Sequence, residues 1–550
     1  MSREMPSRAA FDPLAVAVLT ALWIALFANW PLWRALVALP EMASWRGALF
    51  IAGFAAAVAA LTLALLALFA WRWTIKPLAA VFLLSAAFGA HFMGTYGVVL
   101  DPTMMVNVVQ TDVREVRDLL SGRMLLAVLL LAGLPIAWLV RVPLERVPLP
   151  RQALRNVLAV AGALLLVVAV VVALFAPLSA TMRNHKSLRY LINPLNAYFS
   201  LAVVATKAGA KPAGPPMAIG LDASVLPRAA GARPPLLLLV IGETARADHF
   251  ALNGYARPTN PELSTLDVLS FRDVTSCGTN TAASLPCMFS HLGRKGYDAR
   301  DREQENLLDV LQRAGLAVLW LDNQSGCKGL CDRIPNAMAT RPAGGDAALL
   351  AGLCDGEECL DEALLRGLEQ RVEALPAERR ARGVVLVLHQ MGSHGPAYAR
   401  RSPPDRKPFL PECTTNVLQQ CERAALVNAY DNSIVYTDHV LAQAVGWLKQ
   451  RRDKYATALL YVSDHGESLG ENNLFLHGLP YALAPREQTH VPMVLWPAAP
   501  EGWQADCLQR LRDTPLSHDH LFHSVLGLVG VRAAEYRTAL DAFAACRATH

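Results

Sequence analysis

Long uncharged stretches dominate the first third of the chain: residues 13–33, 47–71, 77–100, 124–140 and 156–182 each run from one charged residue to the next. A helix needs about 20 apolar residues to cross the hydrocarbon core, within a range of roughly 17–25. The pattern predicts five membrane spans in a transmembrane domain over residues 1–182, the fourth at the lower limit. The first stretch has no small-residue cleavage site and is followed by four more, so it reads as a retained span and not a cleaved signal.

From about residue 233 the pattern changes to short apolar runs separated by longer segments of helical period. The runs are Leu236–Ile241, Leu316–Leu321, Val384–Leu388, Ala458–Val462 and Val491–Trp496. Runs apolar on both faces suit buried parallel strands. Residues 233–550 therefore read as an α/β domain. Residues 183–232 join the halves. Their basic and aromatic start, R-N-H-K-S-L-R-Y-L-I-N-P, reads as an interfacial helix with Tyr190 and Tyr198 at headgroup level, or equally as an ordinary surface helix; the following A-G-A-K-P-A-G-P-P reads as a flexible linker.

Composition sharpens this division. With 53% hydrophobic and 18% charged residues over 550 positions, the chain is too apolar for one soluble domain, and disorder and coiled coil are excluded. Residues 1–180 hold 13 Lys/Arg against 8 Asp/Glu, whereas residues 181–550 hold 38 of each. With the N-terminus inside, Arg3, Arg8, Arg72, Lys76, Arg141, Arg146, Arg151 and Arg155 are cytoplasmic, against five basic residues on the opposite loops. Five spans then deliver the C-terminal domain to the outside. The ten cysteines agree, because all follow residue 276 and fall into close pairs: Cys277 with Cys287, Cys327 with Cys331, Cys354 with Cys359, and Cys413 with Cys421, leaving Cys507 and Cys546. Five disulfides in an oxidising compartment fit this set. A metal or redox site at C-K-G-L-C (327–331) is the alternative, ranked lower because the pairs recur at unrelated spacings without partner histidines.

The chemistry follows the strands. Leu236–Ile241 leads into Gly242-Glu243-Thr244, Val384–Leu388 into His389 and then G-S-H-G-P with His394, and Ala458–Val462 into Ser463-Asp464-His465-Gly466-Glu467. In open α/β sheets the carboxyl ends of the strands share one edge, where ligands bind. Carboxylates and imidazoles collected there suit a divalent metal, zinc first, with manganese also compatible. Singly, Glu243 could cap a helix, Asp464 could be a turn residue and His477 a surface histidine. The segment T-S-C-G-T-N-T-A-A-S-L-P-C-M-F-S (275–290) offers a nucleophile in Thr279 or Thr281, before a helix predicted from about Ala282. A hydroxyl there meets the positive end of the helix dipole, which favours a phosphate. Plain N-capping is the alternative.

The motifs G-E-T-A-R-A-D-H-F-A-L-N-G-Y (242–255), S-C-G-T-N-T-A-A-S-L-P-C-M-F-S (276–290), G-S-H-G-P (392–396) and S-D-H-G-E-S-L-G-E-N (463–472) resemble those of the lipid A phosphoethanolamine transferases, the mobile colistin-resistance enzymes included, within the alkaline phosphatase superfamily. The resemblance runs over nearly the whole chain. It implies five transmembrane helices and an alkaline phosphatase/sulfatase-like α/β domain in the periplasm, the whole held in the bacterial inner membrane. It implies Thr281 as nucleophile, sharing a catalytic zinc with Glu243, Asp464 and His465, and His394, His477 and Glu467 at a second metal or substrate-phosphate position. Ser325 and Lys328 match contacts to the phosphoethanolamine group. Asn107, Thr111 and Glu115 match an ethanolamine-binding set, and their four-residue spacing predicts one helix face; a solvated polar face is the alternative. One departure is S-H-D-H at 517–520, which with His523 makes H-x-H-x-x-H. It reads first as the capped start of an amphipathic helix and second as a metal cluster.

The resemblance implies transfer of phosphoethanolamine from phosphatidylethanolamine to a phosphate of lipid A or lipopolysaccharide through a threonine-bound intermediate. Masking anionic phosphate should weaken binding of polymyxin. No nucleic-acid partner is expected. The alternatives are a transferase acting on Kdo or heptose of the core, or a metal-dependent phosphodiesterase or hydrolase of the same superfamily.

Overall fold

The computed structural model describes residues 10–111, 113–210, 214–355, 358–497 and 503–547. The chain forms two compact units, one of Met1–Met105 with Leu120–Thr206, the other of Val106–Leu119 with Lys207–His550. Arg3 and Arg8, assigned to the inner side, lie outside the described residues.

Among the described residues of the first unit, four helices are long and apolar enough to cross a membrane: Trp45–Leu68, Ile75–Tyr96, Gly122–Arg141 and Leu149–Ala173. Pro13–Ala28 and Trp30–Val37, bent by 48°, make a fifth crossing if taken as one span. The sequence reading has this first span unbroken; the bend has a local cause. Pro31 has no N–H to give the carbonyl four residues earlier, and the buried Asn29 lies at the bend. Its Nδ2 donates to Ile24 O at 3.0 Å and to Asn193 O at 2.7 Å, and its Oδ1 accepts from Asn193 N at 2.9 Å. Asn193 Nδ2 donates in turn to Ala28 O and Ala86 O at 2.8 and 2.6 Å. In an apolar surround such reciprocal amides fix neighbours that Leu-on-Leu contacts would leave free to slide.

The helix Leu149–Ala173 begins before residue 156, because its early charges are satisfied at its end: Arg155 pairs with Asp12 at 2.6 Å. A separate helix, Phe175–Asn184, follows it. The basic stretch after it forms a single short helical turn, Lys186–Leu191, and the longer helix is Leu195–Ala210. Guanidinium groups stack over aromatic rings near several helix ends, Arg34 on Trp30, Arg46 on Trp45, Arg72 on Trp73 and Arg189 on Tyr190, as suits a water–lipid boundary.

The second unit is built on an eight-stranded sheet: β1 Pro235–Gly242, β2 Leu269–Thr275, β3 Ala317–Asp322, β4 Asn336–Met338, β5 Val384–His389, β6 Ala456–Ser463, β7 His490–Pro497 and β8 Leu516–Ser517. Their order is β8-β2-β7-β6-β1-β5-β3-β4. All five predicted strands are present. The correction concerns β7, which is antiparallel to both β2 and β6, not parallel. Its apolar run reports burial on both faces, and burial is set by covering helices, not by strand direction. Alternate β1 residues Leu237, Leu239 and Ile241 share one core with Leu307, Leu308, Val310 and Leu311 and with Leu521, Phe522 and Val525. The long helix Arg423–Lys449 packs on β6.

All ten cysteines of this unit are paired as the sequence reading expects. Cys277 is bonded to Cys287, Cys327 to Cys331, Cys354 to Cys359 and Cys413 to Cys421, each closing a short loop. Cys507 is bonded to Cys546 across 39 residues and ties the C-terminal segment to the helix Ala505–Leu511. No free thiol is left, so the metal or redox alternative at C-K-G-L-C gives way to a bridge.

Candidate active site

The central parallel strands β1 and β6 run in register from Pro235/Ala456 to Gly242/Ser463, and Asp464 N continues the ladder by donating to Gly242 O at 3.0 Å. Glu243 and Asp464 therefore leave the sheet side by side. Thr244 turns the chain away at φ +52°, and its N–H approaches Asp464 Oδ1 at 3.3 Å. A non-glycine residue in this region is uncommon and costs about 1–3 kcal/mol, typically where function demands it. Gly392 is required for close approach: a Cβ there would lie 2.7 Å from Glu243 O. The G-S-H-G-P loop thereby lies directly on Glu243, with Ser393 N donating to Glu243 O at 3.0 Å.

Glu243, Asp464 and His465 are fully buried, and one ligand atom from each lies within 4.8 Å of the others, close enough to share a cation. Among the described residues Asp464 Oδ2 accepts no hydrogen bond; it lies 3.3 Å from His465 Nε2, an ion-pair position that a shared cation would take over. Burial opposes charge on Glu243, but the His465 ring outweighs it and holds the carboxyl low; burial likewise opposes the His465 imidazolium, but Asp464 and Glu243 pull it well up. The two carboxylates thus hold a positive charge between them. A divalent metal satisfies the same field, on condition that His465 Nε2 gives up its proton.

Thr281 meets this cluster from a third element. It is the first residue of helix Thr281–Met288, and the cap is Asn280, whose side chain accepts from Ala283 N at 2.9 Å. Capping is therefore not the task of Thr281. Its Oγ1 lies 3.1 and 3.2 Å from the Glu243 oxygens and 3.4 Å from His465 Nε2. Thr279 points elsewhere, donating to Leu479 O at 2.6 Å. The bridge from Cys277 to Cys287 spans both threonines and fastens the entering loop to the last turn of the helix.

A second row of side chains flanks the first. The His465 and His477 rings are 4.4 Å apart and the His477 and His394 rings 5.5 Å. Glu467 is occupied on both oxygens, one 2.8 Å from His477 Nδ1 and the other accepting from Tyr398 OH at 2.6 Å. It orients His477, and its oxygens are committed to that. Burial depresses His394 to about 3, and its Nδ1 has no hydrogen-bond partner among the described residues, so a neutral ring is presented here.

Ser325 and Lys328 also reach this region. Lys328 Nζ donates to Ser325 Oγ at 2.8 Å and lies 3.4 Å from Gln110 O. Ser325 in turn bonds Gln324, whose Nε2 donates to Glu243 Oε2 at 3.2 Å. The segment bearing Asn107, Thr111 and Glu115 corrects an expectation: it forms two helices, Pro102–Gln110 and Val113–Leu119, so the three residues do not share one continuous face. Thr111 Oγ1 instead folds back on Asn107 O at 2.8 Å, competing with the backbone ladder where the first helix ends.

The histidines at 518–523 diverge. His518 Nδ1 accepts from Cys277 N at 3.0 Å and its Nε2 lies 2.9 Å from Ser463 O; His520 pairs with Ser517, and His523 Nδ1 accepts from Arg537 N at 3.1 Å. His518 thus ties the loop before Thr281 to the strand end before Asp464, and Ser284 Oγ adds a bond to Asp464 O. Sequence reasoning missed Gln324 and Tyr398, each joined to its partner across a long chain separation, and read the 518–523 histidines as a capped helix start or a metal cluster without the tie that His518 makes.

Comparison with known proteins agrees with this geometry. A family model described as Sulfatase matches residues 235–531, and one described as Phosphoethanolamine transferase EptA/EptB matches residues 58–208. The chain is 38% identical over 556 residues to phosphoethanolamine transferase EptA of Salmonella typhimurium, covering 100% of this chain and 99% of that protein. It is 37% identical over 467 residues to the phosphatidylethanolamine transferase Mcr-1 of Escherichia coli, covering 84% and 85%. The solved structure of the integral membrane protein lipooligosaccharide phosphoethanolamine transferase A (EptA) from Neisseria meningitidis matches with a TM-score of 0.90 at 33% identity, over 97% of this chain and 99% of that one. With its apolar helices and its sulfatase-like domain bringing Thr281 beside Glu243, Asp464 and His465, this multi-pass membrane protein belongs to the phosphoethanolamine transferase EptA family.

Proposed function

We propose that the chain is an enzyme that transfers phosphoethanolamine from phosphatidylethanolamine to a phosphate of lipid A, at the periplasmic side of the bacterial inner membrane, through a covalent adduct on Thr281. The observation that carries this reading is the Thr281 hydroxyl, buried at a helix N-terminus and 3.1–3.4 Å from Glu243 and His465. Glu243, Asp464 and His465 would hold a zinc ion, which when bound supplies charge stabilisation to the threonine oxygen and the phosphoryl group.

The residues divide the work in two displacements. Thr281 Oγ forms a bond to phosphorus, the bond to the diacylglycerol oxygen breaks, and the Thr281 proton leaves with the diacylglycerol. The hydroxyl oxygen of a monoprotonated acceptor phosphate then attacks the same phosphorus, the bond from phosphorus to Thr281 Oγ breaks, and the acceptor's proton passes to Thr281. His394 and His477 face the phosphoryl oxygens or a second metal, with Glu467 and Tyr398 fixing the His477 ring. Ser325 and Lys328 contact the phosphoethanolamine group, and Asn107, Thr111 and Glu115 receive the ethanolamine end. Placing both lipid substrates at one membrane-tethered site supplies proximity that neither would have in bulk water.

Mass spectrometry of lipid A from cells expressing the chain tests this directly. Phosphoethanolamine-modified lipid A with the wild type and none with Thr281→Ala is expected; modification surviving in the variant removes Thr281 from its role. Modification confined to the core sugars would move the acceptor to Kdo or heptose.

A further inference from the structure

We propose that Asp118 is a positioning residue for the donor headgroup: bonded to Arg401, it locks the Val106–Leu119 segment against the loop that carries His394. The inference rests on the donor reading above.

Asp118 is 4% exposed although it sits on a seven-residue helix whose neighbour Val116 is 44% exposed. A carboxylate is buried at a cost of several kcal/mol unless it is paired and hydrogen-bonded. Here it is both. Arg401 Nη2 lies 2.9 Å from Asp118 Oδ2, Arg400 bonds the other oxygen, and Asn416 Nδ2 donates to Asp118 O at 2.8 Å. Arg401 is itself buried, and its remaining nitrogens are committed: Nε donates to His394 O at 2.9 Å and Nη1 reaches Glu358 Oε2 at 3.4 Å, beside the Cys354–Cys359 bridge. A guanidinium is a rigid planar fork, so the position of Asp118 and that of the His394 backbone are set by one another.

The other end of the segment is held as well. Lys328 Nζ lies 3.4 Å from Gln110 O while bonding Ser325 Oγ. Gln110 and Asp118 thus bracket Thr111 and Glu115, and both clamps are made by groups that also touch residues of the site. Asp118 follows Glu115 by three positions, which places the two on one side of the short helix. Buried ion pairs add little net stability but can select one arrangement over others. The arrangement selected here is the spacing between the ethanolamine-binding residues and the His394 loop.

The test uses the full-length protein in vesicles of phosphatidylethanolamine diluted in phosphatidylcholine, with lipid A at a fixed saturating mole fraction as acceptor so that the enzyme turns over. Asp118→Asn is expected to raise KM for phosphatidylethanolamine, as mole fraction, by about tenfold while kcat stays within about twofold; the thermal midpoint should fall, because Arg401 is left buried with Glu358 as its remaining carboxylate. Asp118→Glu, which keeps the charge, should recover most of the loss. Adding Asp118→Asn to Glu115→Gln should raise KM less than the product of the two single effects, because both act on one contact. Unchanged KM, a fall in kcat alone, or multiplicative effects in the double variant would overturn the proposal. Should Asp118→Asn not fold, Arg401→Lys, which loses the fork and keeps the charge, carries the same comparison. Wild-type protein that consumes no phosphatidylethanolamine in these vesicles overturns the donor reading itself.

Discussion

Glu243, Asp464 and His465 leave the ends of two adjacent strands whose backbone ladder continues up to Asp464 N, so their places are set by the sheet. His477 lies beyond the sheet and takes its orientation from Glu467, which is held by Tyr398; Ser325 reaches the same site through Gln324. The first group is fixed by backbone, the second by chains of side chains. Chemistry that tolerates no displacement is expected on the first, and substrate contacts that must accommodate lipids of varied shape on the second.

The largest effects should come from the backbone-fixed group and from Thr281, the hydroxyl it holds. Thr281→Ala is expected to lower transfer by at least about a thousandfold, with metal content and thermal midpoint near wild type, since the cap Asn280 is untouched. Asp464→Asn should come next. Elemental analysis should show loss of bound zinc, and activity should fall at least about a hundredfold without rescue by moderate added zinc. Full activity in zinc-depleted Asp464→Asn protein would mean that the buried Asp464 Oδ2 serves the His465 ring and not a cation.

A smaller effect is expected from the relay. Tyr398→Phe removes one of two bonds to Glu467 while keeping the ring, and kcat/KM should fall by about tenfold. A loss as large as that of Asp464→Asn would erase the distinction between the two groups. The smallest effect concerns pH. Burial holds His518 down to about 3 from its ordinary 6.5. Between those values the unfolded chain binds a proton that the folded protein refuses, so this contribution to stability is full above pH 6.5 and is lost as pH falls toward 3. His518→Gln should flatten the fall of the thermal midpoint over that window; an unchanged slope would show that other groups govern it.

The same contrast decides what the sequence discloses. Glu243, Asp464 and His465 are legible because each follows an apolar run at once, and a strand end is the first place to look for a ligand. The cysteine pairs are legible for a related reason: four of the five partners lie within ten residues of each other, and Cys507 and Cys546 are then the remaining two. Strands β2, β4 and β8 are not read: L-S-F-R-D-V-T mixes charge into the run, and the other two are three and two residues long. The bend at Asn29 is hidden because its partner Asn193 is 164 residues away. His518 meets Cys277 across 241 residues and Arg401 meets Asp118 across 283; no local pattern marks such pairs. The resemblance to known transferases supplies roles for Ser325 and Lys328, but only the folded chain shows Lys328 beside Gln110.

The central claim is that Thr281 carries the phosphoethanolamine group between donor and acceptor. Incubating the purified full-length protein with phosphatidylethanolamine and no acceptor, then measuring the mass of the peptide spanning residues 276–290, tests it most directly. The account predicts a phosphoethanolamine adduct on Thr281 that disappears when lipid A is added. An unmodified peptide during steady diacylglycerol release would contradict it.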